Sequence, residues 1–105
     1  MGKHSERARA VVELTPSAKK DLKKLKKELS HFSEAELYNA FESICNEPLS
    51  GKSLQGNLSK YRSFRLAKNY RIIYEIIRHP QETIIRIHGI GDRKDIYDRI
   101  FRFFL

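Results

Sequence analysis

At 105 residues the chain has room for one domain with a single buried core and needs no covalent staple. Its lone cysteine, Cys45, excludes an intrachain disulfide, and four scattered histidines (His4, His31, His79, His88) offer no zinc-ligand spacing, so no metal or other cofactor is expected. The formal charge of +8 points to a polyanionic partner, and it is lopsided: residues 1–51 carry 9 Lys/Arg against 8 Asp/Glu, residues 52–105 carry 12 against 5.

No uninterrupted apolar run approaches the ~18 residues that span a membrane. The opening MGKHSERARA lacks the apolar core of a signal peptide, and Glu6 stands where a myristoylation signal wants Ser or Thr. A cytoplasmic protein with no membrane partner is the expectation.

Residues 1–9 are polar without period and read as a flexible N-terminal arm, leaving 10–105 as the single domain. Ala10–Leu14 (AVVEL) is a short β-branched run, a strand. Thr15 offers an N-cap, and Pro16 takes the first helical position, where its missing N–H costs nothing. Ala18, Leu22, Leu25 and Leu29 follow as a narrow apolar stripe at helical spacing. Lys19, Lys20, Lys23, Lys24, Lys26 and Lys27 surround that stripe. Such a run reads either as the solvated face of an amphipathic helix, diluted by Asp21 and Glu28, or as a nucleic-acid contact.

Ser33 with Glu36 makes a capping box, so a second helix begins there and buries Leu37, Phe41, Ile44 and Cys45. Pro48 ends it, because the residue before a proline is disfavoured in helix. On that apolar side Cys45 fits a core thiol better than a nucleophile. Residues 48–60 (PLSGKSLQGNLSK) read as a connecting loop whose glycines are too sparsely framed to cradle phosphate. Three strands follow, Tyr61–Leu66, Tyr70–Ile77 and Thr83–Ile90, with turns at Ala67–Asn69 and Arg78–Glu82. Asp92 is placed to cap a closing helix with Ile96, Tyr97, Ile100, Phe101 and Phe104 on its apolar side. The order β-α-α-β-β-β-α predicts an α+β fold: an antiparallel sheet with two N-terminal helices on one face, and a C-terminal helix.

The stretch YRSFRLAKNYRIIY, residues 61–74, mixes core rings and isoleucines with three arginines and a lysine and has no acid. Alternation puts Tyr70, Ile72, Tyr74 and Ile76 on one face and Arg71, Ile73, Glu75 and Ile77 on the other. Arg62 and Arg65 differ by an odd number, so a regular strand separates them; a bulge would unite them. Arg86 and His88 share a face. A phosphate site requires that arginines of neighbouring strands converge.

YRSFRLAKNYRIIYEI, the strand IIRIHGIG and the segment DRKDIYDRI resemble the RelE/ParE superfamily of bacterial and archaeal toxins, and the resemblance runs from Ala10 to Phe104. Its most specific parts are Tyr70-Arg71-Ile72-Ile73-Tyr74 and Arg93-Lys94-Asp95-Ile96-Tyr97. The RelE-like branch implies a toxin of a type II toxin–antitoxin system. Such a toxin is a metal-independent, ribosome-dependent endoribonuclease (an mRNA interferase) that enters the ribosomal A site, cuts mRNA and inhibits translation. The partners implied are mRNA, the ribosome and a cognate antitoxin that wraps and neutralises the toxin. ParE-like members share the fold, inhibit DNA gyrase and lack the nuclease residues, while a degenerate toxin would bind only its antitoxin or RNA.

By resemblance, Arg71 sits where RelE-like nucleases keep the arginine that binds the scissile phosphate, and Arg62 where they carry a basic strand residue. Arg65 lies near a second basic position, Tyr97 matches a tyrosine near the scissile nucleotide, and Arg93 matches the basic residue that opens the same segment. Lys60, Lys68, Arg86 and Lys94 are the expected further RNA contacts. Arginine suits a phosphate site because its fork grips phosphate bidentately and it stays charged. Gly91-Asp92-Arg93 departs from the Gly-His-Arg of many nuclease members, so the usual acid or base is missing. Asp92 reads as a helix cap or as a substitute base; His88, mid-strand, is a poor replacement. Phe101, Phe103, Phe104 and Leu105 exceed one helical stripe, and an exposed part would suit antitoxin docking.

Overall fold

The computed structural model describes residues 9–27 and 33–104. The arm expected over 1–9 lies outside these but for Arg9, and Leu29 and Leu105 also lie outside them. The elements are β1 (Arg9–Leu14), α1 (Pro16–Lys27), α2 (Glu34–Asn46), β2 (Lys52–Ser53), β3 (Tyr61–Arg65), β4 (Tyr70–Arg78), β5 (Glu82–Asp92) and α3 (Arg93–Phe104).

Both N-terminal helices start as their sequences dictate. Thr15 Oγ1 accepts the Ala18 N–H at 3.1 Å, ahead of Pro16. Ser33 Oγ accepts the Glu36 N–H at 3.1 Å while Glu36 accepts the Ser33 N–H at 2.7 Å, the reciprocal pair of a capping box. All six lysines of α1 are exposed, and Lys26 pairs with Glu34 at 3.6 Å. That face is solvated.

The sheet has the order β1-β5-β4-β3-β2. It is mixed, where an antiparallel sheet was expected: β1 runs parallel to β5, and the other neighbours are antiparallel. The two helices between β1 and the hairpins bring the chain back, so β1 lies beside the last strand in the same direction, a non-local pairing that local pattern does not encode. A two-residue strand, β2, also emerges inside the expected 48–60 loop.

Two cores share this sheet as their common floor. On one face Ala18, Leu25, Leu37, Phe41 and Ile44 of α1 and α2 pack on Ile72, Tyr74, Ile85, Ile87 and Ile90, with Cys45 partly buried beside them. On the other face Ile96 and Ile100 of α3 pack on Ile73, Tyr61 and Leu58. The alternation read from residues 70–77 is thus the one observed. Phe101, placed on the apolar side of α3, is instead 53% exposed; among the described side chains Ile96 and Ile100 dock with Tyr97 packed beside them, and the side chain of Phe104 lies outside those described.

The strand irregularity lies not in β3 but in β5. Ile73 pairs with Gly89 and Tyr74 with Ile87, which leaves His88 as the extra residue of a bulge. Strand β3 is regular from Tyr61 to Arg65.

Candidate functional site

Directly paired residues share a face, so the β3–β4 register sorts the basic residues. Tyr61 opposite Glu75, Ser63 opposite Ile73 and Arg65 opposite Arg71 lie on the α3 face. Arg62 opposite Tyr74 and Phe64 opposite Ile72 lie on the α1/α2 face. Because β3 has no bulge, Arg62 does not join Arg65 and Arg71. Its Nη1 donates instead to the carbonyls of Gly51 (2.5 Å) and Leu49 (3.3 Å).

Where α3 leaves the sheet, a cleft of about 260 Å³ opens between its first turns and the β2–β3–β4 edge. Arg65, Arg71, Arg93 and Tyr97 all line it, together with Lys52, Ser53, Leu54 and Ser63. Arg71 Nη1 donates to the Tyr70 carbonyl at 2.9 Å and, at 3.4 Å, to the carbonyls of Ala67 and Lys68, which fixes its fork at the cleft mouth. The Arg93 N–H donates to the Asn69 carbonyl at 2.5 Å, tying the start of α3 to the β3–β4 turn. The Tyr97 hydroxyl stands 2.8 Å from Ser63 Oγ, a hydrogen bond that holds the phenol against the strand floor.

Asp92 caps the helix. Its Oδ1 accepts the Lys94 N–H at 3.0 Å, which engages this carboxylate outside the cleft lining. Lys94 lies with Asn69, Arg93, Tyr97 and the carboxylates Asp92 and Asp98 along an adjoining depression, and Lys68 is in the turn that Arg71 grips. Lys60 and Arg86 belong elsewhere. Lys60 pairs with Glu75 at 3.9 Å, Arg86 pairs with Glu13, and His88 Nε2 lies 2.9 Å from Glu75 Oε1 with its ring edge-on to Tyr61. Together with Glu75 and Glu13 these side chains form a separate patch on the cleft face of the sheet.

Ser63, Lys52, Ser53 and Leu54 are the cleft residues that sequence reading missed. Ser63 was within reach, since counting two back from Arg65 puts it on the same face. Lys52 sits in a strand too short to show any period.

The cleft thus gathers four cations (Lys52, Arg65, Arg71, Arg93) and one hydroxyl network (Tyr97–Ser63), and among the described residues no carboxylate lines it. It can hold a phosphate and stabilise charge that grows on it.

The architecture is that of the RelE-like toxins. YafQ from Escherichia coli superposes with a TM-score of 0.68 at 17% identity, covering 85% of this chain and 99% of that one, and it also occurs in the DinJ–YafQ toxin–antitoxin complex. The toxin–antitoxin complex RelBE2 from Mycobacterium tuberculosis contains a chain 30% identical, with a TM-score of 0.62 and coverage of 82% and 100%. A conserved hypothetical protein from Helicobacter pylori matches at 25% identity and a TM-score of 0.62, covering 83% and 98%. Among curated protein sequences nothing matches. The family described as ParE toxin of type II toxin-antitoxin system, parDE, matches over residues 12–97. The chain belongs to this family, within the RelE/ParE superfamily, and is a toxin of a toxin–antitoxin system whose partner is an antitoxin. Among the described residues no helix is long and apolar enough to cross a membrane.

Proposed function

We propose that this toxin is a ribosome-dependent endoribonuclease that cleaves mRNA, and that its cleft holds the scissile phosphate. The observation that carries the reading is the convergence of Arg65, Arg71 and Arg93 with the Tyr97 hydroxyl on one cleft. Attack by a 2′-hydroxyl requires that the 2′ proton be taken, that phosphate charge be stabilised and that the leaving 5′ oxygen be protonated. The three guanidinium groups serve the second requirement. Tyr97, oriented by Ser63, is the group placed to handle a proton or stack on a base. With Asp92 capping α3 and His88 held at Glu75, neither is offered to the cleft. So sparse a set of acids and bases suits an enzyme whose rate comes from holding the 2′ oxygen in line, which contributes up to ~7–11 kcal/mol in well-oriented model reactions. The translating ribosome is the device that would hold the messenger so.

Mapping messenger 5′ ends after induction tests this: cuts clustered in frame are expected, and Arg71→Ala is expected to abolish them in a translating extract while circular dichroism stays unchanged. Undiminished cleavage by that variant removes Arg71 from the mechanism. One observation favours a second reading, gyrase inhibition without catalysis, namely the match to the ParE toxin family. Inhibited supercoiling with purified gyrase, beside intact messenger in the extract, would select it.

A further inference from the structure

Arg62 and Tyr74 are cross-strand partners on the sheet face opposite the cleft, and both reach the segment that leads into β2. The Tyr74 hydroxyl donates to the Pro48 carbonyl at 2.6 Å and accepts the Gly51 N–H at 2.9 Å. Arg62 Nη1 donates to the Gly51 carbonyl at 2.5 Å and to that of Leu49 at 3.3 Å. Both polar backbone groups of Gly51 are therefore held by these two side chains. The approach is so close that a Cβ on Gly51 would lie 2.5 Å from the Tyr74 oxygen. Only a glycine lets the backbone lie on the ring in this way.

The next residues are β2, which has two ladder pairs, Lys52 with Ser63 and Ser53 with Arg62. An edge strand this short has too little ladder to hold its own register. Lys52, opposite Ser63, nevertheless faces the cleft and lines it beside Arg65 and Arg71. After β2 the chain is held by the Leu54 N–H on the Tyr61 carbonyl (3.0 Å) and Ser53 Oγ on the Ser59 carbonyl (2.7 Å); before it, next to Lys52, the hold is the grip on Pro48–Gly51 from behind the sheet. We propose that Arg62 and Tyr74 form a clamp that positions Lys52 as a further phosphate-binding residue of the cleft. The proposal rests on the phosphate-binding reading above. It makes Arg62 a positioning residue that acts through Lys52, without contact to RNA.

The test is a double-mutant cycle on binding of a fluorescent single-stranded 2′-O-methyl RNA, which cannot be cleaved by 2′ attack. Anisotropy titrations over a series of salt concentrations compare wild type, Lys52→Met, Arg62→Met and the double variant. Losing one lysine–phosphate contact lowers the log–log salt slope by about 0.7 for a single strand. Lys52→Met is expected to show that drop, Arg62→Met to approach it, and the double variant to match Lys52→Met alone, since coupled residues are not additive. Additive losses would mean that Arg62 touches RNA itself, and a wild-type slope in Arg62→Met would mean that it positions nothing; either overturns the proposal. Amide exchange at Gly51 reads the clamp without RNA. Tyr74→Phe and Arg62→Met are each expected to speed it at least tenfold, and unchanged exchange overturns the clamp. If wild type itself fails to bind the RNA, the phosphate reading falls and Lys52's role with it, whereas the exchange result still decides the clamp.

Discussion

Arg65 and Arg71 oppose each other directly across the β3–β4 ladder, with Arg93 on the same cleft. Paired Cβ atoms lie ~4.5–5.5 Å apart in such a ladder, and like charges there are destabilising. Two guanidinium groups splayed to about 7 Å repel by roughly 1 kcal/mol at an effective dielectric near 50, between water and protein edge. Arg65→Met keeps the long stem and removes the charge, so the free protein should gain about 0.5–1 kcal/mol. For a chain of this size that is roughly 2–8 °C in Tm. Calorimetry at about 0.01 M salt and again at 1 M separates charge from packing, because the Debye length falls from ~30 Å to ~3 Å. The gain should be present in the first condition and nearly gone in the second. The same variant should bind single-stranded RNA more weakly, so stability and binding move in opposite directions. A variant that melts lower than wild type at both salts, or a gain indifferent to salt, would refute the idea that these arginines await an anion.

Four other outcomes follow from the geometry. Tyr97→Phe should lower messenger cleavage by about 10²–10⁴ if the hydroxyl moves a proton, and Ser63→Ala should lower it less, since a hydrogen bond that only orients contributes about 0.5–1.5 kcal/mol; primer extension on a ribosome-bound message compares them. Ile73 has no exposed surface and carries α3, so Ile73→Ala should cost about 2–5 kcal/mol in urea unfolding. Burial pushes both the Cys45 thiol and the Tyr74 phenol up from their ordinary values. The folded state therefore holds those protons more tightly than the unfolded chain, and stability should fall as pH rises above the ordinary cysteine and then tyrosine ranges. Cys45 should also alkylate more slowly in the folded protein than in urea at pH 8, because the thiolate is the reactive form.

Local chemistry was the legible part of this fold. Thr15, Ser33 with Glu36, and Asp92 announce helix starts by side-chain hydrogen bonds that span three residues or fewer, and each is found. The alternation of residues 70–77 sorted the two faces and marked the ring-and-isoleucine one as core, but the mixed face gave no sign that Ile73 floors a second core under α3. What local pattern could not carry was non-local. Pairing of β1 with β5 joins residues more than 70 apart, and β2 is too short for a period. For the site, resemblance supplied Arg71, Arg93 and Tyr97, but their meeting depends on the tie between Arg93 and Asn69 and on the docking of α3 over Ile73. Arg62 shows the opposite lesson. Parity in a regular strand already separated it from Arg65, and that simple count describes β3 as it stands.

The bulge at His88 gives the same count a larger consequence. Ile87 and Ile90 both face α1 and α2 although they are three residues apart, an odd step that only the extra residue makes possible. The odd step turns over every later position of β5 and so sets the side of the sheet on which the chain leaves it for Arg93. The reading frame of the site, in this sense, is kept by the bulge, which takes one surplus residue out of the ladder. Deleting His88 would make Ile87 and Gly89 consecutive, opposite Tyr74 and Ile73 as they are now, so β5 would lose its bulge while α3 kept its place over Arg65 and Arg71. Inserting one residue between Gly89 and Asp92, where the ladder is regular, would instead turn the exit over. A one-residue deletion at the bulge should therefore be tolerated where a one-residue insertion beyond it is not.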